Sequence, residues 1–171
     1  MKFKIGKKTI SEDRMYVVAE ISANHGGSIS RAKKLISFAK KAGVDAVKIQ
    51  SYSPDSMTIN SNKKDFQIEH FKWKKYKNFY KLYQKGQTPN KWIKELFLYA
   101  KKIKIDIFSS PFDEKAVDEL EKCGCIAYKI ASPEINHIPL LKKVAKTQKP
   151  IIISTGVANI KDIELAIDII K

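Results

Sequence analysis

From Tyr16 onward, short β-branched runs alternate with longer segments whose apolar residues recur at helical spacing, a pattern that predicts βα units and a parallel sheet. The runs at 17–22, 46–52, 106–110, 127–131 and 151–154 predict five strands. The segments between them carry helix signals. Ser28 or Ser30 caps a helix that lays Leu35, Ile36, Ala39 and Ala42 on one face and stops at Gly43. Thr88 with Pro89 reads as an N-cap followed by proline at the first helical position, and Trp92, Leu96, Tyr99 and Ile103 follow at helical spacing. Asp113 caps a helix burying Ala116, Val117 and Leu120 before Gly124, and two more helices begin near Ile138-Pro139 and Asn159.

Two stretches depart from the alternation. Residues 2–14 are polar with few apolar positions and predict a small β-hairpin over the bottom of the sheet. The connection from Ser53 to Gln87 far exceeds the roughly 2–6 residues usual between strand and helix, and long connections are often functional. Within it, Trp73, Tyr76, Tyr80 and Tyr83 share one face of a predicted helix, among Lys72, Lys74, Lys75, Lys77 and Lys81. Rings so placed either stack on nucleic-acid bases or pack on the body of the protein, and one amphipathic helix packing inward accounts for the spacing.

Composition narrows the class. The 171 residues suit one domain with one core. No apolar run approaches the roughly 18 residues of a membrane helix, and the N-terminus lacks a secretory pattern, so the expectation is a soluble, cytoplasmic chain with no membrane partner. A net charge of +15 raises the question of nucleic acid. Yet 31 of the 33 basic residues are lysines, scattered along the chain, whereas bidentate recognition of bases and phosphates favours arginine. The expectation is no nucleic-acid partner, with solvated lysine faces that help attract small anions. Cys123-Gly124-Cys125 lacks redox C-x-x-C spacing and has no second pair to complete a zinc site, so both thiols are expected in the core.

The chemistry lies in charges set inside apolar strands. Lys48 interrupts 46–50, Lys129 interrupts 127–131, and Glu20 interrupts 17–22. An ammonium buried without a partner costs several kcal/mol, so these positions need compensation. Period two puts Lys48, Gln50 and Tyr52 on one face, and Glu20 with Ser22 on one face. Ser109, Ser110, Ser132, Ser154 and Thr155 occupy the same C-terminal level on later strands, where βα barrels place their sites. An internal pair of Glu20 with one lysine leaves the other lysine unmatched. A doubly anionic ligand balances both. His25, beside Gly26-Gly27, reads as a loop residue, and His70 and His137 belong to no metal spacing, so no metal site is assembled from these residues.

The strings Ala19-Glu20-Ile21-Ser22-Ala23-Asn24-His25, Ala46-Val47-Lys48-Ile49-Gln50, Ser109-Ser110-Pro111-Phe112, Tyr128-Lys129-Ile130-Ala131-Ser132 and Ile153-Ser154-Thr155-Gly156, in this order, resemble the sialic acid synthase family. The resemblance implies an α/β fold of the (β/α)8 TIM-barrel type, truncated after about five βα units. It implies condensation of phosphoenolpyruvate with an open-chain acetamido sugar and release of phosphate. By that resemblance Lys48, Lys129, Ser132 and Ser154 hold phosphoenolpyruvate, Glu20 handles the attacking water, and Gln50, Phe112 and Glu134 meet the sugar. It further implies a divalent metal, Mn or Mg, whose ligands lie outside these residues, and a homodimeric full-length protein. Gly26 and Pro133 depart from the family strings, and Pro133 restrains Ser132 to extended backbone. Residues 1–171 are thus expected to be the N-terminal part of such a barrel, without its remaining strands and its small C-terminal domain.

Two other readings compete. Lys129 forms a Schiff base as in class I aldolases, or the 53–87 segment makes the chain a basic binding module or a folded remnant without activity.

Overall fold

The computed structural model describes residues 2–171. A hairpin of β1 (Phe3–Ile5) and β2 (Lys8–Ile10) precedes a parallel sheet of β3 (Val18–Glu20), β4 (Ala46–Ser51), β5 (Asp106–Pro111), β6 (Tyr128–Ile130) and β7 (Ile151–Ile153), paired in chain order. Helices α1 (Ile29–Lys41), α4 (Asn90–Lys102), α5 (Glu114–Lys122) and α6 (Ile138–Ala145) connect successive strands, and α7 (Ile160–Ile170) follows β7. The short α2 (Pro54–Met57) and α3 (Phe79–Gly86) lie in the long connection after β4. Parallel neighbours joined by helices curl the sheet into a half-barrel.

The five predicted strands are all present, shortened where turns take over. The 17–22 run ends at Glu20 because Ser22–His25 winds into a tight helical turn. The helix caps follow the sequence signals: Ser28 Oγ accepts from the Arg31 amide at 3.2 Å, and Asp113 Oδ1 accepts from the Ala116 amide at 2.6 Å. Asn159 and Asp162 cap α7 reciprocally. At α4 the start moves by one residue, since Pro89 takes the cap position and Thr88 is buried before it.

The core lies between the outer face of the sheet and the helices. Val47, Ile49, Tyr128 and Ile130 are fully covered, as are Leu96, Leu120, Leu140 and Leu141 from the helices above them. Helix pairs are tied laterally, with Ser37 and Tyr99 hydroxyls 2.6 Å apart between α1 and α4, and Lys143 2.6 Å from Asp118 between α6 and α5. Cys125 is buried, as expected, and burial pushes its thiol up to about 11. Cys123 is only half-buried, because the turn that ends α5 leaves it at the surface of a cleft.

The predicted hairpin forms and sits beneath the sheet. Ile5 enters the core, and Lys8 Nζ donates to the Asp45 carbonyl at 2.6 Å and lies 3.2 Å from its carboxylate. Gly6 turns the hairpin at φ +57°, where a Cβ would stand 3.1 Å from Ile126 and 3.2 Å from the Asp106 carboxylate.

The single aromatic helix expected over Trp73–Tyr83 does not form. Lys77 takes φ +67° and ends a short turn over Lys74–Tyr76, and α3 starts anew behind the Asn78 cap. Trp73 is half-exposed and lies tilted against His70 with ring centroids 5.0 Å apart, whereas Tyr83 reaches inward to Tyr52. The buried Asn78, whose side chain both caps α3 and donates to Asn62 at 2.9 Å, favours this break over continuous helix.

Gly6→Ala is expected to lower stability by about 1–2 kcal/mol through the left-handed φ it imposes on a Cβ, read as a reduced urea midpoint at unchanged m-value.

Candidate active site

The parallel register builds the site. Glu20 on β3 is paired with Lys48 on β4, and their side chains form an ion pair. Gln50 is paired with Ser110 on β5, and pairing of Ser109 with Tyr128 brings Ser110 beside Lys129 on β6. Lys48 Nζ donates to Ser110 Oγ at 3.2 Å, and Lys129 Nζ donates to Ser154 Oγ at 2.5 Å and to the Ile130 carbonyl at 2.6 Å. A continuous polar stripe, Glu20, Lys48, Ser110, Lys129 and Ser154, therefore crosses the inner face at the C-terminal rim.

The two lysines differ in compensation. Lys48 has a carboxylate beside it, and its side chain is 16% exposed. Lys129 is half-buried with only neutral acceptors in hydrogen-bond contact. Burial lowers its pKa, and the neighbouring charge of Lys48 lowers it further, so the two ammonium groups feel each other across the stripe.

Around the stripe, the other expected residues fall as follows. Gln50 Oε1 accepts from Ser22 Oγ at 3.0 Å, leaving its amide protons for a ligand. The Ser22 amide donates to Glu20 at 2.9 Å, and Ser22 holds φ +44° to do both. Ser132 Oγ accepts from the Val157 amide at 2.8 Å, tying the turn after β6 to the loop after β7. Glu134 is half-buried; its Oε2 has no hydrogen-bond partner among the described residues, and burial holds its carboxyl above the ordinary range. Phe112 is buried edge-on to Tyr52 at 5.5 Å, and Tyr52 packs edge-on to Tyr83 at 6.0 Å, forming an aromatic wall at the same end of the sheet. Burial pushes the Tyr52 phenol up to about 12.

Two expectations are corrected. Ser109 is not at the rim: it points to the outer face, where its hydroxyl meets Ser51 at 2.8 Å and donates to the Ile49 carbonyl at 3.1 Å. Successive strand residues face opposite ways, so Ser109 and Ser110 cannot both line the site. Tyr52 lies beyond the end of β4 and packs sideways instead of continuing the Lys48 and Gln50 face. The sequence places Ser110 and Ser22 near the rim, and the structure adds their roles: Ser110 accepts from Lys48, and Ser22 supports Glu20 and Gln50. His25 is buried with Nδ1 accepting from the Gly27 amide at 3.1 Å and its ring edge-on to Trp92, which anchors the Ser22 turn. Among the described residues no group of three or more His, Cys, Asp or Glu side chains could hold a metal.

The parallel half-barrel thus gathers cations, a carboxylate and hydroxyls at its C-terminal rim, the end at which barrel folds carry their sites. The chain belongs to the NeuB family, which it matches over residues 35–171. It is 45% identical over 155 residues to pseudaminic acid synthase of Helicobacter pylori, covering 91% of this chain and 45% of that protein. It is 44% identical over 161 residues to pseudaminic acid synthase of Campylobacter jejuni, covering 94% and 47%. The crystal structure of N-acetylneuraminic acid (sialic acid) synthetase from Leptospira borgpetersenii superposes with a TM-score of 0.84 at 27% identity, over 99% of this chain and 55% of that one. These likenesses bear out the resemblance to sialic acid synthases and the barrel-type fold. The chain spans about half the length of the relatives it matches.

Because Lys129 loses its proton more readily folded than unfolded, the unfolded state holds more protons between the lowered value and the ordinary 10.5, and stability rises with pH across that window. Lys129→Met is expected to abolish that rise, measured by urea denaturation at successive alkaline pH values.

Proposed function

We propose that this chain carries the phosphoenolpyruvate site of a pseudaminic acid synthase. The reaction joins C3 of phosphoenolpyruvate to the aldehyde of 2,4-diacetamido-2,4,6-trideoxy-altrose, adds water at C2 and releases phosphate, giving the nonulosonic acid. The observation that carries this reading is Lys129: a half-buried ammonium with neutral partners, across a serine from a second ammonium that has a carboxylate. A ligand with both a carboxylate and a phosphate supplies the missing negative charge, and charge-assisted hydrogen bonds to it exceed those to serine.

The residues then take distinct roles. Lys48 and Lys129 hold the two anionic ends, while Ser154 and Ser132, each already accepting one hydrogen bond, turn their hydroxyl protons to the phosphate. Glu20, with a side chain 41% exposed at the rim, receives a proton from the water that attacks C2. Gln50 donates its amide protons to the sugar. Glu134, kept protonated more readily by burial, offers a hydrogen bond to the same substrate, and Phe112 with Tyr52 walls the pocket. The divalent metal implied by the family, Mn or Mg, finds no fitting ligand set among the described residues. The free edges of β3 and β7 are where further strands complete the barrel, and the assembled enzyme works as a cytoplasmic homodimer.

The lowered pKa of Lys129 also favours a second reading, in which its neutral amine attacks a carbonyl to form a Schiff base. Borohydride reduction separates the two: a stable adduct on Lys129 with pyruvate or sugar overturns the first reading. In a phosphoenolpyruvate titration followed by NMR, Lys129→Ala is expected to weaken binding at least about tenfold, as for a lost charge-assisted hydrogen bond. Native affinity is expected to fall as pH rises through the lowered Lys129 value. Unchanged affinity in Lys129→Ala overturns the assignment.

A further inference from the structure

At the opposite end of the strands, the hairpin, α4 and α5 surround an open cleft of about 820 Å³, built within residues 6–126. Its floor is apolar, formed by Phe97, Ile105, Ile107 and Ile126, and Leu98 at its side is 58% exposed. Lys7, Lys94, Lys101 and Lys104 stand around this floor, and none of the four joins an ion pair among the described residues. The lining holds one carboxylate, Asp106, which already accepts from the Tyr16 hydroxyl at 3.5 Å.

Four lysines without ion pairs around one cleft, against a single lining carboxylate, leave it with a positive potential that draws an anion. The exposed Leu98 at the side of that apolar floor gains by burial against an apolar body. The cleft is also of the size that encloses a drug-sized molecule, within the range of about 300–1,000 Å³. We infer that this cleft binds a small amphipathic anion, an apolar or aromatic body bearing a single sulfonate, carboxylate or phosphate. The rim site, with its stripe of charged and hydroxyl groups, suits a small polyanion instead, so the two ends of the sheet select different ligands, and this inference stands apart from the proposed reaction.

The test uses 8-anilinonaphthalene-1-sulfonate and its uncharged counterpart N-phenyl-1-naphthylamine with the purified protein. The sulfonate is expected to saturate at one dye per chain and to slow the reaction of Cys123 with Ellman's reagent, since Cys123 lines the cleft while Cys125 is buried. The uncharged dye is expected to bind about tenfold more weakly, and the paired reversal Lys101→Glu with Lys104→Glu to weaken the sulfonate about tenfold while leaving the uncharged dye as before. Both lysines are exposed, so reversing them leaves the core intact, and Leu98→Asp supplies a second variant that disrupts the apolar side. Dye that fails to saturate, Cys123 reactivity unchanged by bound dye, or sulfonate affinity unmoved by both variants overturns the inference.

Discussion

The structure depends on placing two lysines on the inner face of a parallel sheet whose outer face is packed under the helices. Burying an ammonium costs more than any single hydrogen bond returns, and the molecule compensates the two unequally. Lys48 receives the Glu20 carboxylate; Lys129 receives two oxygens that carry no charge. The outer face offsets that cost with a continuous layer of covered side chains from Val47, Ile49, Tyr128 and Ile130. Among the described residues Lys129 joins no ion pair, so its charge is less fully compensated than that of Lys48.

Parallel geometry turns this imbalance into a site. Each strand is staggered against the next, so Glu20, Lys48, Ser110, Lys129 and Ser154 lie along one slanting row though they come from five strand regions. The row is held from the ends as well as the sides. Ser22 adopts a left-handed backbone that aims its amide at Glu20 and its hydroxyl at Gln50, and the buried His25 ring fixes that turn against Trp92. The excursion after β4 contributes Tyr83 to the wall built by Tyr52 and Phe112, while Tyr80 donates to Asp55 at 3.1 Å and joins α3 to α2. Length in this connection thus serves to cover the rim.

The opposite end is organised by different pairs. Asp45 just before β4 accepts from the Val17 amide at 2.8 Å and binds Lys8, so its carboxyl stays below the ordinary range. That latch fixes the hairpin under the sheet and, with α4 and α5, shapes the lysine-ringed cleft. The net charge of +15 is consequently uneven in meaning: most lysines are solvated, two are half-buried at the rim, and six line the cleft, four of them without an ion pair among the described residues.

Sequence alone determined the order of elements, most caps and the identity of the buried charges. Hydrophobic period, Ser28, Asp113 and Asn159 are local signals, and local energies decide them; Lys48 and Lys129 stand out because a charge inside an apolar run is costly wherever the strand lies. Register and facing were decided only by tertiary structure. Two adjacent serines in β5 look alike in a string, and strand pairing assigns Ser110 to the lysines and Ser109 to the covered face. The aromatic stretch at 73–83 has helical spacing, yet a buried Asn78 and a left-handed Lys77 break it, because satisfying a buried amide outweighs the modest gain from extending an exposed helix. Long-range pairing sets which side chains meet, and no local pattern encodes that.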